Sequence, residues 1–141
     1  EVLPDWNVLA GYTYNHNRNR TAAKVFSSIT PKHQFKLWST YRLPGILNDV
    51  KIGGGMNLQS ATYVSGTTFV NDVEQNYKYV QAGYAVWDSM AEYRVNENWS
   101  VIYNANNLFD KKYYSKLGSS ASGNWYGDER NHMLTLRGTF W

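Results

Sequence analysis

The sequence predicts an all-β protein, an antiparallel up-and-down sheet of about six strands that each cross a membrane. Three observations predict it. Apolar and polar side chains alternate with a period of two in six separate stretches. The connections between those stretches alternate between long and short. And the alternation leaves one face of every stretch free of charge.

The expected strands are residues 6–16, 33–43, 50–61, 83–95, 98–108 and 132–141. Long loops are expected over 17–32, 62–82 and 109–131, and short turns over 44–49 and 96–97. Long loops outside and short turns on the periplasmic side are the rhythm of an outer-membrane barrel. One face carries Trp6, Val8, Ala10, Tyr12 and Tyr14, then Phe35, Leu37, Ser39, Tyr41 and Leu43, then Val50, Ile52, Gly54, Met56 and Leu58. It continues through Ala85, Trp87, Ser89, Ala91, Tyr93 and Val95, through Trp99, Val101, Tyr103 and Ala105, and closes on Leu134, Leu136, Gly138 and Phe140. The other face holds Lys36, Arg42, Lys51, Asp88, Glu92, Arg94 and Arg137 among Asn, Gln and Thr. Lys or Arg facing lipid at mid-membrane costs about 2–4 kcal/mol, which accounts for one face lacking them. A band about 25 Å tall crossed at roughly 45° needs about 10–11 residues at 3.3 Å each, the length of these stretches. Trp6, Tyr41, Tyr93, Trp99 and Phe140 fall toward the short-turn side and Tyr14, Phe35 and Trp87 toward the long loops, two candidate interfacial girdles.

Composition fits this picture. Of 141 residues, 16% are aromatic and only 18% charged, yet mean hydropathy is −0.57, as expected where polar and apolar side chains alternate at close range. Cysteine is absent, which excludes disulfides and thiolate metal sites. No run of 18 apolar residues offers a transmembrane helix. A dispersed net charge of +3 offers no phosphate-neutralising patch, so no nucleic-acid partner is expected. Six strands cannot close a barrel, and an open sheet in lipid would leave two edges of unpaired backbone groups. The chain is therefore expected to be part of a larger protein, with any export signal elsewhere. A soluble β-sandwich or lipocalin-like barrel is the competing fold.

The most specific run is Asn104-Ala-Asn-Asn-Leu-Phe-Asp-Lys-Lys-Tyr-Tyr114. Its physics is that of a strand leaving the membrane: Asn104 and Asn106 face a wet lumen, Leu108 and Phe109 anchor at the interface, Asp110 bonds its own backbone to start a turn, and Lys111 and Lys112 reach water or lipid phosphates. The run resembles the N-x-N-N-L-F-D-K-x-Y-Y signature of TonB-dependent outer-membrane receptors, here Asn104, Asn107, Leu108, Phe109, Asp110, Tyr113 and Tyr114. Pro31-Lys-His-Gln-Phe-Lys-Leu-Trp38 with Tyr41-Arg-Leu-Pro-Gly45, Ile52-Gly-Gly-Gly-Met-Asn57, Gln81-Ala-Gly-Tyr-Ala-Val86 and Asn124-Trp-Tyr-Gly-Asp-Glu-Arg-Asn131 are similar to runs of that family's ferric-siderophore receptors, the ferripyoverdine, ferrioxamine and coprogen group. Glu129 stands where the family usually has Pro, and Trp141 follows the usual terminal Phe.

The resemblance implies residues 1–141 of the C-terminal part of a 22-stranded barrel in the Gram-negative outer membrane, with no plug domain in this chain. It implies TonB-dependent uptake of ferric siderophore, iron being cargo and no cofactor being needed. The implied partners are the siderophore, the lipid bilayer and lipopolysaccharide, the remaining strands and plug, TonB through the N-terminal part, and the barrel-assembly machinery, which would read Phe140 and Trp141. Ligand capture falls to outer-loop aromatics, Tyr63, Tyr77, Trp125 and Tyr126, whose rings offer stacking surface and hydrogen bonds at low entropy cost. Tyr113 and Tyr114 suit the girdle or loop packing better.

No enzymatic constellation emerges. Asp88 and Glu92 lie four apart on one strand face, about 13 Å, too far for paired-carboxylate chemistry; salt bridges with Arg94 or with cations on neighbouring strands are expected instead. Asp128 and Glu129 are expected in a solvated turn, and the Ser119–Ser122 stretch lacks a base. His16, His33 and His132 fall at strand ends on the long-loop side and read as rim residues without a metal. An outer-membrane enzyme or adhesin of similar build is the alternative function.

Overall fold

The computed structural model describes residues 4–16 and 29–140. Its strands are β1 (Trp6–Tyr14), β2 (His33–Arg42), β3 (Val50–Gln59), β4 (Thr62–Val70), β5 (Val73–Gln81), β6 (Tyr84–Arg94), β7 (Trp99–Asn106), β8 (Tyr114–Lys116), β9 (Trp125–Tyr126) and β10 (Asn131–Gly138). Six of them form one antiparallel sheet in the order β1-β2-β3-β6-β7-β10. These are the six expected strands, shorter by one or two residues at several ends; β10 starts one residue sooner than expected and ends at Gly138, three short of the expected 141.

Register carries the face assignment across the whole sheet. Val8, Ser39, Gly54, Ser89, Ala105 and His132 form one row of cross-strand partners, and Trp6, Tyr41, Ile52, Ala91, Tyr103 and Leu134 another. Each row stays on the charge-free face, and His33 and His132 extend that face at the outer ends. A one-residue slip would send every charge to the wrong side. The rows also reveal tilt. From the first row β10 extends one residue outward, to Asn131, whereas β1 extends six, to Tyr14, a stagger of five. From the second row β10 runs four residues further inward, to Gly138. Four to five residues at 3.3 Å across five gaps of about 4.8 Å give a strand tilt of about 30–35°, close to that of barrel walls.

No second layer covers this sheet among the described residues. Leu134, Leu136 and Tyr12 on the charge-free face are 72%, 64% and 63% exposed. A sandwich or lipocalin-like barrel would bury that face as its core, so the soluble alternative has no structural support. A lysine placed on it should be costly. Met56→Lys, between Leu37 and Trp87, is expected to destabilise the protein by about 2–4 kcal/mol, whereas Asn57→Lys on the other face beside Asp88 stays near neutral. Urea titration of the full-length protein refolded in lipid vesicles measures both.

The short turns have local causes. Pro44 cannot continue the β2 ladder, and Gly45 takes φ +66 to open a single 3-10 turn, Gly45–Leu47. At the next turn Asn96 Oδ1 accepts from the backbone N–H of both Asn98 and Trp99, 2.9 Å each.

Two long connections are not plain loops. Residues 62–82 form a nine-rung hairpin of β4 and β5 whose turn residues Asn71 and Asp72 take φ 51 and 61, the two left-handed positions of a type I′ turn. Residues 109–131 contain the small β8–β9 pair. Most of the expected loop 17–32 lies outside the described residues, as does Trp141.

Candidate functional site

The outer end of β7 is where wall and loop are joined. Asn107, 3% exposed with φ 50, sits at the centre of the join. Its backbone N–H donates to Asp88 Oδ1 on β6 (2.9 Å). Its Nδ2 donates to the carbonyls of Lys111 (2.9 Å) and Asp128 (2.9 Å), and its Oδ1 accepts from the Lys111 N–H (2.8 Å). One side chain thereby pins both the start and the end of the last outer loop to the wall. Asp110, also at positive φ, accepts from the Arg130 N–H (3.0 Å) through Oδ1. It therefore bonds across the loop, not to its own turn as the sequence suggested. A second strap joins Lys112 to Glu129 (2.6 Å) and Asp110 (3.4 Å). Neither Glu129 nor Lys112 is left to water or lipid alone.

Charge around this clasp is tuned in the direction that closes it. The Arg130 N–H, then Lys112, hold the Asp110 carboxyl below the ordinary carboxylate range. The Glu129 hydrogen bond, then Asp110, hold the Lys112 ammonium above its usual value. A depressed acid stabilises the closed loop above its unfolded pKa, about 4, and loses that contribution as pH falls through the lowered value; a raised amine contributes below about pH 10 and fades above it. Protection of the Arg130 amide against hydrogen exchange, corrected for intrinsic rate, should hold from pH 5 to 9 and drop below pH 4.

Beneath the clasp the inner wall is concave. A cavity of about 530 Å³ is lined by Gln34, Lys36, Asn57, Gln59, Tyr84, Asp88, Asn106, Asn107, Tyr113, Asp128 and Asn131, with Phe35, Leu58 and Val86 completing it. Period two places the polar wall residues on the lumen face, and the clasp brings Tyr113 and Asp128 over them. The Tyr113 ring lies 4.3 Å from that of Tyr84, and burial, then the nearby Asp128 and Asp88 carboxylates, pushes its phenol pKa up. Gly127 is required there, because a Cβ would strike the Tyr113 ring. The lining offers amide donors and acceptors, two phenols and two carboxylates around one cation, Lys36, which makes no ion pair among the described residues. Such a surface binds a polar, flexible ligand through many hydrogen bonds with some ring stacking. It holds no nucleophile–base pair.

The residues singled out from sequence divide by position. Tyr113, Asn107 and Asn106 reach the cavity; Tyr63, Tyr77, Trp125 and Tyr126 do not line it and lie on β4, β5 and β9. Tyr63 carries the Lys78 ammonium over its ring (4.8 Å), and Tyr77 packs on Tyr79 (5.2 Å) within β5. Trp125 and Tyr126 are 65% and 70% exposed. Tyr126 stacks on Tyr114 (4.5 Å) and accepts its hydroxyl hydrogen bond (3.0 Å), which raises the Tyr114 phenol pKa. Gln81 Oε1 accepts from the Tyr114 N–H (2.9 Å), tying the base of the long hairpin to the clasped loop. Gln81, Tyr84 and Asn131 escaped the sequence reading as site residues; the parity that put Asp88 on the lumen face would have placed Tyr84 there too. Asn104 stays in the wall opposite Met90 and Met133, and Leu108 donates its N–H to the Trp87 carbonyl (2.7 Å). Phe109, 70% exposed, meets Trp87 edge-on at 6.4 Å. Phe140 meets Trp99 edge-on at 5.2 Å at the inner rim.

The expected ion pairs were partly misassigned. Glu92 pairs with Arg137 (3.7 Å) on β10, but Arg94 pairs with Asp49 (2.7 Å) and Asp88 makes no ion pair among the described residues, its two oxygens serving Asn107 and Asn57. His132 lies at the opposite edge of the sheet from His16 and His33, so the three histidines do not converge.

Known proteins share this architecture. The chain is 38% identical to the ferric-pyoverdine M114 receptor PbuA of Pseudomonas sp. (strain M114), covering 99% of this chain and 17% of that protein. The crystal structure of the ferripyoverdine receptor of the outer membrane of Pseudomonas aeruginosa, bound to ferripyoverdine, superposes with a TM-score of 0.84 at 35% identity over 98% of this chain and 18% of that one. The ferric-catecholate import receptor Fiu from Escherichia coli K12, in its open form, superposes with a TM-score of 0.75 at 27% identity over 97% of this chain and 19% of that one. The chain thus spans about one-sixth of the length of the curated relatives it matches. The family model described as TonB dependent receptor-like, beta-barrel, matches residues 2–108, and the chain belongs to that family of β-barrel receptors.

Proposed function

We propose that the chain is the C-terminal barrel part of a TonB-dependent ferric-siderophore receptor in the outer membrane of a Gram-negative bacterium. The observation that carries the reading is the amide- and tyrosine-lined cavity at the outer end of a tilted, charge-free-outside wall. Its hydrogen-bonding chemistry suits a peptide-bearing iron chelate, and a pyoverdine-type siderophore is the favoured cargo, since the relative at 38% identity is a ferric-pyoverdine receptor. In this reading Trp125, Tyr126, Tyr63 and Tyr77 meet the chelate first, and Tyr113 and the wall amides hold it below.

The remaining strands and the plug belong to other parts of the protein, through which TonB supplies the energy. Phe140 and Trp141 form the signal for the barrel-assembly machinery, and lipopolysaccharide and phospholipid surround the wall. Iron passes as cargo.

Deleting the gene and supplying single ferric siderophores to iron-starved cells tests the reading. Loss of growth and of radioactive iron uptake on one chelate, reproduced by removing TonB and restored by the gene, is the expected result. Unchanged uptake of every ferric chelate would sink it.

A further inference from the structure

The outward face at the outer end of β1 and β2 carries a cluster that iron uptake does not use. Tyr14 is its hub. The His33 ring lies 5.2 Å from it, the His16 ring stacks on it at 6.5 Å, and the Lys32 ammonium sits 5.8 Å from its centroid. Tyr12 OH and His33 Nδ1 are hydrogen-bonded at 2.8 Å along the cross-strand diagonal. That bond occupies Nδ1 and fixes the ring, and Nε2 has no partner among the described residues. Tyr12, Tyr14, His16, Lys32 and His33 are all exposed. No Asp or Glu occurs in β1, β2 or β3, and Lys32 makes no ion pair among the described residues.

A cation and two imidazoles gathered on a tyrosine, on a face that otherwise admits no charge, lack a counter-charge within the sheet. Their level supplies one. Tyrosine at the rim of the apolar band marks the depth of lipid headgroups, and an anionic headgroup surface attracts nearby lysine. We propose that this cluster is a binding site for a phosphate group of an outer-leaflet glycolipid, with Lys32 and His33 Nε2 as donors and Tyr12 and Tyr14 as the platform that aims them. The assignment rests on the outer-membrane reading above.

The other edge of the sheet supplies an internal control. There Tyr103 and His132 repeat the same diagonal, with OH to Nδ1 at 2.8 Å and rings stacked at 5.9 Å, but no lysine among the described residues stands over that tyrosine.

The test uses the full-length receptor in phosphatidylcholine nanodiscs, alone and with bis-phosphorylated lipid A or its dephosphorylated form. Wild type should melt higher with the phosphorylated lipid only, and native mass spectrometry should show bound lipid A. K32Q/H33Q should lose at least half of that shift and retain at least threefold less lipid, with its melting in plain nanodiscs unchanged, while H132Q keeps both. Equal stabilisation by dephosphorylated lipid, or full retention by K32Q/H33Q, overturns the site and leaves the barrel reading standing. A receptor that never inserts as a heat-modifiable barrel overturns both.

Discussion

Asn107→Ala is expected to release the last outer loop from the barrel wall. The substitution removes three side-chain hydrogen bonds at a residue that is 3% exposed, leaving the Lys111 amide group and the Asp128 carbonyl to find new partners. Each of the three part-buried hydrogen bonds contributes about 0.5–1.5 kcal/mol, and alanine at φ near +50 adds about 1–2 kcal/mol. The sum is about 3–6 kcal/mol against loop closure. Asn107→Gly separates the two contributions, because it keeps the left-handed backbone and loses only the carboxamide. Asn107→Asp should fail as badly as alanine: it loses both Nδ2 donations and sets a second carboxylate beside Asp88. Limited proteolysis of whole cells reads the result, as cleavage within 109–131 that wild type resists. Since Tyr113 and Asp128 roof the cavity only while the clasp is closed, iron-chelate affinity should fall tenfold or more in the same variant. Cleavage and affinity indistinguishable from wild type would show that the clasp is redundant.

That residue shows what a sequence does and does not disclose. The six wall strands were legible because lipid enforces a rule that polar solvent does not. Every outward side chain from Trp6 to Gly138 had to be uncharged, so the period of two survived intact. The β4–β5 hairpin stands beyond that constraint. Ser65, Thr67, Thr68, Gln75 and Asn76 sit on either face without penalty, and the alternation dissolves into what reads as loop. Its Asn71-Asp72 turn between Val70 and Val73 was the available signal.

The site was legible in part for the same reason. Parity placed Lys36, Asn57, Gln59, Asp88 and Asn106 on the lumen face, yet which of them meet depends on where the chain returns. Asn107 finds one partner four residues away and another twenty-one residues away. Glu129 finds Lys112 seventeen residues back. The family motif was read as a strand leaving the membrane, and β7 does end within it at Asn106, but its bonds across the loop were not foreseen. Its Asp110 and its third asparagine, Asn107, tie the outgoing and returning arms of the loop together.

Gly55→Ala should do more harm than any lipid-facing charge. Three glycines stand in line in β3, Gly53, Gly54 and Gly55, and they are not equivalent. A Cβ on Gly54 would meet only the Asp88 carbonyl oxygen at 3.5 Å, an ordinary contact. On Gly55 it would strike the Leu37 carbonyl oxygen and come within 2.6 Å of Trp38 Cε3 and 3.1 Å of Trp38 Cα. Backbone cannot swing aside as a flexible side chain can, and Trp38 is the register partner of Gly55. The indole lies over the glycine, covering backbone that a side chain would otherwise cover. Relief requires moving β2 away from β3 in the centre of the sheet, which breaks ladder hydrogen bonds with no water to replace them. The expected cost exceeds about 4 kcal/mol, beyond the usual 1–3 kcal/mol of an overpacked core. Cells carrying Gly55→Ala should therefore show little or no heat-modifiable receptor in the outer membrane, while Gly54→Ala assembles to wild-type amounts. Trp38→Ala combined with Gly55→Ala removes the ring but not the Leu37 carbonyl, so it should recover only part of the loss. Full recovery in the double variant would assign the clash to the indole alone and refute the backbone origin of the defect.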